Sequence, residues 1–183
     1  MSGLGAKVVG LHRALAEASI PHAFGGALAL GWCTLQPRGT SDIDCNVFAG
    51  VEDLDRVLAS LPTAILATDE QRALLQRDGQ GRLFWDDTPI DLFLETTDFH
   101  RAALLRLQWQ DFAGARLPYL GCSDLAVFKA FFNRTKDWAD LEEMVAAGSL
   151  DRPWVLGTLV TYLGGADPRI ERLRTLGPPG AAS

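Results

Sequence analysis

Period-two alternation, the mark of a half-buried strand, stops near Leu120, and everything after it carries helical spacing. This switch constrains the fold more than any other feature. Before it, helical and strand patterns alternate. Leu4, Val8, Leu11, Leu15 and Ala18 recur at spacings of three and four, predicting an amphipathic helix that Ser19-Ile20-Pro21 ends. His22-Ala23-Phe24 reads as a short strand running through Gly25-Gly26 into a helix from Ala27 to about Leu35. Asp42 to Phe48 alternates as a strand, Val51 to Leu61 and Thr68 to Arg77 as helices, and Arg82 to Asp86 with Pro89 to Glu95 as paired strands turning around Asp87-Thr88. A helix from Phe99 to Leu107 and a hairpin turning at Gly114 follow. Then Ser123 to Ala147 reads as one long helix, capped by Ser123 or Asp124 and ended by Gly148. Asp151 to Leu163 and Pro168 to Leu176 read as further helices. The expected class is α/β (α+β): a mixed sheet flanked by helices over residues 1–121, a helical part over 122–176 and a mobile tail over 177–183.

Two segments in the first part carry chemistry. Gly25-Gly26 stands where a strand turns into a helix, a place where backbone N–H groups and the helix N-terminus can approach a phosphate. Asp42-Ile43-Asp44 opens the next strand. Residues i and i+2 of a strand share a face, so the two carboxylates are expected to point one way while Ile43 enters the core. Hard divalent cations such as Mg2+ or Mn2+ take oxygen ligands, and such ions neutralise charge during attack on a phosphate. Asp91, an acid among the apolar residues of Pro89-Ile90-Asp91-Leu92-Phe93, needs a reason to be there. Metal ligation, action as a general base, or a salt bridge to Arg82 would each supply one.

In this order the motifs resemble the nucleotidyltransferase superfamily with the DNA polymerase β-like fold. The stretch from Gly25-Gly26-Ala27-Leu28 to Arg38-Gly39-Thr40-Ser41-Asp42-Ile43-Asp44 is similar to the form seen in AbiEii/AbiGii-type toxins, including the MenT toxins, and in aminoglycoside and lincosamide nucleotidyltransferases. Asp124 to Lys129 and Arg134-Thr135-Lys136-Asp137-Trp138-Ala139-Asp140-Leu141 resemble the later paired motifs of the AbiEii-like group. The resemblance implies a metal-dependent enzyme that moves a nucleoside monophosphate from a nucleoside triphosphate (NTP) to an acceptor. Asp42, Asp44 and Asp91 would hold Mg2+ or Mn2+, and Gly25, Gly26, Arg38, Thr40, Ser41 and Lys129 would bind the nucleotide. Asp137 or Asp140 would orient Lys129 or the base. Because the later helical motifs fit the AbiEii-like group, it implies first a toxin acting on tRNA or another RNA or protein acceptor and paired with an antitoxin, with an antibiotic-modifying enzyme acting on a small acceptor as the alternative. A catalytically silent nucleotide-binding module of the same fold is the reading from outside enzymology.

Composition bears on the partner. The formal net charge is −6, against a dedicated double-stranded DNA binder and a point against RNA. The three cysteines, Cys33, Cys45 and Cys122, show no metal-ligand spacing and are expected as free thiols in a reducing cytoplasm. No stretch of the roughly 18 apolar residues needed to span a bilayer is present, so a soluble cytoplasmic protein is expected.

Overall fold

The computed structural model describes residues 3–177; the expected tail therefore lies, apart from Gly177, outside the described residues. The chain divides into two units. The first runs up to Leu28 and from Gly39 to Leu120; the second comprises Ala29–Arg38 and the chain from Gly121 onward.

The first unit is built on a six-stranded mixed sheet in the order β3-β4-β2-β1-β6-β5. Its strands are β1 (His22–Phe24), β2 (Ile43–Val47), β3 (Gln80–Trp85), β4 (Thr88–Leu94), β5 (Gln108–Phe112) and β6 (Ala115–Tyr119). Strands β1 and β2 run antiparallel, whereas β2 lies parallel to β4 and β1 parallel to β6. Helix α1 (Leu4–Glu17) precedes the sheet, and α3 (Leu54–Ser60), α4 (Asp69–Asp78) and α5 (Asp98–Ala103) follow β2, α3 and β4 in the chain. The expected strand periodicity is met on β4, where Ile90, Leu92 and Leu94 are buried and Asp91 and Phe93 take the opposite face. Each fully buried Leu or Ile of this kind stabilises the fold by roughly 2 kcal/mol.

Helix α1 is apolar at Val8, Leu11 and Leu15, as its spacing predicts, but it also buries Lys7. The Lys7 ammonium donates to the Trp85 carbonyl at 2.7 Å and to the Thr88 hydroxyl at 2.9 Å, and lies 3.3 Å from Asp86. These bonds satisfy a buried cation and fix the β3–β4 turn. The turn falls at Asp86-Asp87 rather than Asp87-Thr88, with Asp86 left-handed at φ 54°.

Beside β1, the imidazoles of His12 and His22 are hydrogen-bonded at 2.9 Å, and His22 Nδ1 is 2.8 Å from the Ile20 carbonyl. A carbonyl only accepts, so His22 Nδ1 carries a proton and its Nε2 accepts from His12. Burial pushes the His22 pKa down to about 4, and the neighbouring His12 lowers it further against the bond to Ile20. The folded state thus holds His22 neutral, while the unfolded chain takes up a proton near 6.5. Stability is complete above pH 6.5 and is lost as pH falls toward 4, by roughly 3 kcal/mol. Melting curves between pH 7.5 and 4 check this; His22→Leu is expected to flatten that part of the profile.

The second unit is helical. It takes the end of α2 (Gly26–Thr34), whose first turn belongs to the sheet unit, and contains α6 (Cys122–Phe132), α7 (Thr135–Ala146), α8 (Arg152–Leu163) and α9 (Pro168–Thr175). The long helix expected from Ser123 to Ala147 is two helices. Asn133 adopts the left-handed conformation, φ 57°, its N–H donates to the Lys129 carbonyl, and its side-chain oxygen accepts from the Trp138 indole at 2.7 Å. Neither Ser123 nor Asp124 caps α6; Gly121 precedes it without a side-chain cap. Gly148, φ 64°, follows α7 as expected. Cys33 and Cys122 form a disulfide with Cα atoms 5.6 Å apart, which corrects the expectation of three free thiols. Residues 89 apart in sequence gave no spacing signal for the pairing. Cys45 remains a buried free thiol whose pKa burial pushes up to about 12. Among the described residues no helix is long and apolar enough to cross a membrane.

Candidate functional site

In the sheet unit, parallel pairing of β2 and β4 sets Asp44 directly beside Asp91. Antiparallel pairing of β3 and β4 sets Arg82 on the other side of Asp91. Registered neighbours in a sheet share a face, so Asp44, Asp91 and Arg82 form a row across three strands. Two carboxylates directly opposite one another repel, and the arginine offsets that repulsion. The Arg82 guanidinium grips Asp91 with two bonds, Nε to Oδ1 at 2.7 Å and Nη2 to Oδ2 at 2.6 Å. The same Nη2 lies 3.6 Å from Asp42 Oδ2. The bonds to Asp91 raise the Arg82 pKa, and the charges of Asp42 and Asp44 add to the effect. The salt bridge between Asp91 and Arg82, one of the three readings drawn from the sequence, is therefore present.

Asp42 differs from expectation. Strand β2 starts at Ile43, and Asp42 lies in a bend before it, so the i, i+2 argument does not apply to this residue. Its position is set instead by Thr40, whose hydroxyl donates to Asp42 Oδ1 at 2.7 Å. Thr40 is thereby engaged with a carboxylate, and Ser41 is exposed in the same bend. Ile43 is fully buried, as expected.

Gly25 and Gly26 have a steric reason to be glycines. The Gly25 N–H donates to the Asp44 carbonyl at 2.9 Å, joining the turn after β1 to β2. Gly26 opens α2 at φ +50°, and a Cβ on it would stand 1.8 Å from Asp44 Oδ2. The Asp44 carboxylate therefore lies against the first residue of a helix, where backbone N–H groups favour negative charge. A Cβ on Gly25 would stand 2.9 Å from the amide nitrogen of Asn46, a buried residue that sequence reasoning did not single out. Gly26→Ala is expected to displace the Asp44 carboxylate and to cost roughly 1–3 kcal/mol through its positive φ. Activity should fall more than stability, and Gly25→Ala should be milder, because only the end of the Asn46 side chain must move. Thermal melts paired with activity assays on both variants check the order.

The carboxylates suit a divalent cation in kind, since Asp42, Asp44 and Asp91 are oxygen donors of the class Mg2+ and Mn2+ take. A cation must displace Arg82 to reach both oxygens of Asp91. As they stand, no three His, Cys, Asp or Glu side chains among the described residues are grouped to hold a metal ion. The sheet thus brings Asp44 and Asp91 side by side, and links Asp42 to them through Arg82.

The helical unit carries a charged cluster of its own. Lys129 on α6 is buried, and its Nζ donates to Asp140 Oδ2 at 2.5 Å. Asp137 Oδ1 lies 4.0 Å from the same ammonium. Arg38 takes the other Asp140 oxygen and approaches Glu143 at 3.6 Å; the bond to Asp140 raises its pKa. Asp137 accepts from the Arg134 backbone N–H at 3.1 Å and from Arg134 Nε at 2.7 Å, closing the first turn of α7. The two aspartates left open by the sequence therefore differ in what they hold. Asp140 holds Lys129 and Arg38, and Asp137 holds the start of its helix. Glu143 was not anticipated, although it stands three residues after Asp140 and so on the same helix face.

The mixed sheet with its flanking helices matches a nucleotidyltransferase-like fold. Solved structures share that fold at low sequence identity. The solution structure of the antibiotic-resistance factor ANT(2'')-Ia matches 93% of this chain and 88% of its own, with a TM-score of 0.56 at 13% identity. The crystal structure of ANT(2'')-Ia in complex with adenylyl-2''-tobramycin matches 94% of this chain and 95% of its own, with a TM-score of 0.53 at 13% identity. An antigenic nucleotidyltransferase-like protein from Paracoccidioides brasiliensis matches 97% of this chain and 95% of its own, with a TM-score of 0.51 at 14% identity. No protein-family model and no curated protein matches the sequence.

Proposed function

We propose that this chain transfers a nucleoside monophosphate from an NTP to a hydroxyl-bearing acceptor, with Mg2+ or Mn2+ bound by Asp44, Asp91 and Asp42. The observation that carries this reading is the pairing of Asp44 with Asp91 on neighbouring parallel strands, with the Asp44 carboxylate against Gly26 at the start of α2. When bound, the cation supplies neutralisation of phosphate charge and activation of the attacking hydroxyl. The protein's own residues do the positioning. Gly26 and the first turn of α2 offer backbone N–H groups to anionic oxygens. Asp91 accepts the acceptor's proton once Arg82 has released one of its oxygens. Thr40 and Ser41 in the sheet unit, and Arg38 and Lys129 in the helical unit, are each proposed to bind nucleotide, with Asp140 the residue that positions Lys129.

For the acceptor we propose a small polycationic, hydroxyl-rich molecule. A net charge of −6 favours such a molecule over RNA, and the similar fold of ANT(2'')-Ia is known in complex with adenylyl-2''-tobramycin. The second reading, a toxin that modifies tRNA and is held by an antitoxin, draws on the Lys129 and Asp137-to-Asp140 motifs, which the structure joins through the Lys129–Asp140 bond.

One experiment separates these readings. Each α-labelled NTP is incubated with the protein, Mg2+, and either aminoglycosides or total tRNA. Label in the small molecule supports the proposal, and label in RNA replaces it with the toxin reading. Magnesium-dependent NTP binding with no label in either acceptor would replace both with a silent binding module.

A further inference from the structure

Arg82 has no part in the resemblance from which the site was read, yet it binds both Asp91 oxygens and faces Asp42. We infer that Arg82 is a positioning residue that competes with the divalent cation for Asp91, so that the carboxylates take up a bare cation weakly and take up cation and triphosphate together. This inference rests on the proposed nucleotidyl-transfer site.

A divalent cation and a fork-bound guanidinium cannot both occupy the cleft between the two oxygens of Asp91, because both use the lone pairs that face it and their positive charges repel. Arg82 is half exposed and its side chain reaches from the edge strand β3, so water and incoming anions can take over its donors as the ion pair opens. It is a two-bond tie that a doubly charged ion must compete with. On release the guanidinium keeps its positive charge and five donors beside a site proposed to receive a triphosphate, and planar guanidinium groups match phosphate oxygens well. The acid row thus begins with its repulsion offset by Arg82, and exchanges that partner for the cation when phosphate arrives to receive the arginine. Two neighbours support the geometry. Gln71 donates to the Arg82 carbonyl at 2.8 Å, holding its backbone, and Lys7 fixes the turn beyond it, so the movement is confined to the side chain.

Mn2+ binding to the whole protein, followed by the electron paramagnetic resonance signal of the free ion, tests this without any turnover. The wild type, Arg82→Met, and Arg82→Met combined with Asp91→Asn or with Asp44→Asn are titrated with Mn2+ alone. Arg82→Met is expected to bind Mn2+ at least about tenfold more tightly than the wild type, and either added carboxamide is expected to remove the gain. In equilibrium dialysis at saturating Mn2+, α,β-methylene analogues of ATP, GTP, CTP and UTP are offered in turn. The analogue that the wild type retains should bind Arg82→Met at least about tenfold more weakly. Equal Mn2+ affinity in the wild type and Arg82→Met overturns the role of Arg82 and leaves the proposed site standing. Mn2+ binding to Arg82→Met that persists in both carboxamide variants overturns the carboxylate site itself, and with it this inference.

Discussion

Asp44→Asn is expected to reduce nucleotidyl transfer by at least about 1,000-fold while leaving the melting temperature close to that of the wild type. The amide keeps the size of the carboxylate and its place against Gly26, but loses the charge that faces the proposed cation beside Asp91. A thousandfold loss corresponds to about 4 kcal/mol of transition-state stabilisation, within the several kcal/mol that metal-assisted charge neutralisation supplies. The fold should survive, because the Asp44 backbone remains paired with Asp91 and still accepts from Gly25. Steady-state rates with matched thermal melts check both halves of this expectation. Transfer within tenfold of wild type would remove Asp44 from the chemistry.

The second large effect is on stability and arises in the helical unit. Asp140→Ala strips Lys129 of its short bond and leaves a buried ammonium whose nearest described carboxylate, Asp137, is 4.0 Å away and already bound to Arg134. Removing one partner of a buried ion pair costs about 3–5 kcal/mol. For a chain of this size that lowers the melting temperature by roughly 10 °C. Lys129→Met in the Asp140→Ala background removes the stranded charge and should recover part of the loss. Absence of recovery would mean that Asp140 stabilises the unit through Arg38 instead.

The sequence made one half of the carboxylate row legible and obscured the other. Asp44 and Asp91 could be read because aspartate is disfavoured in strands, so an acid inside a strand pattern calls for a reason. Asp42 looked like their equal, since the D–x–D spacing is the same whether or not its first residue is paired. Thr40 draws it into a bend before the strand begins. Arg82 was visible only as one partner for Asp91, because its contact depends on hairpin register, and the turn lies one residue earlier than the sequence suggested. The glycine pair was legible as a turn, but its second reason, the Asp44 carboxylate filling the space of a Cβ, is a tertiary fact. The helix break at Asn133 was hidden because Arg134 to Asp140 continues a helical pattern, and only the Trp138 indole shows why the chain turns there. The Cys33–Cys122 bond lay beyond reading, since nothing in a separation of 89 residues says which thiols meet.

The fate of the phosphates of the NTP tests nucleotidyl transfer most directly. With Mg2+, an acceptor found in the screen, and the NTP labelled at either the α- or the γ-phosphate, nucleotidyl transfer at Asp44 requires that α-label enter the acceptor in the wild type. It requires that γ-label leave as pyrophosphate and that both signals vanish in Asp44→Asn. Transfer of γ-label to the acceptor, or α-label transfer undiminished in Asp44→Asn, would contradict it.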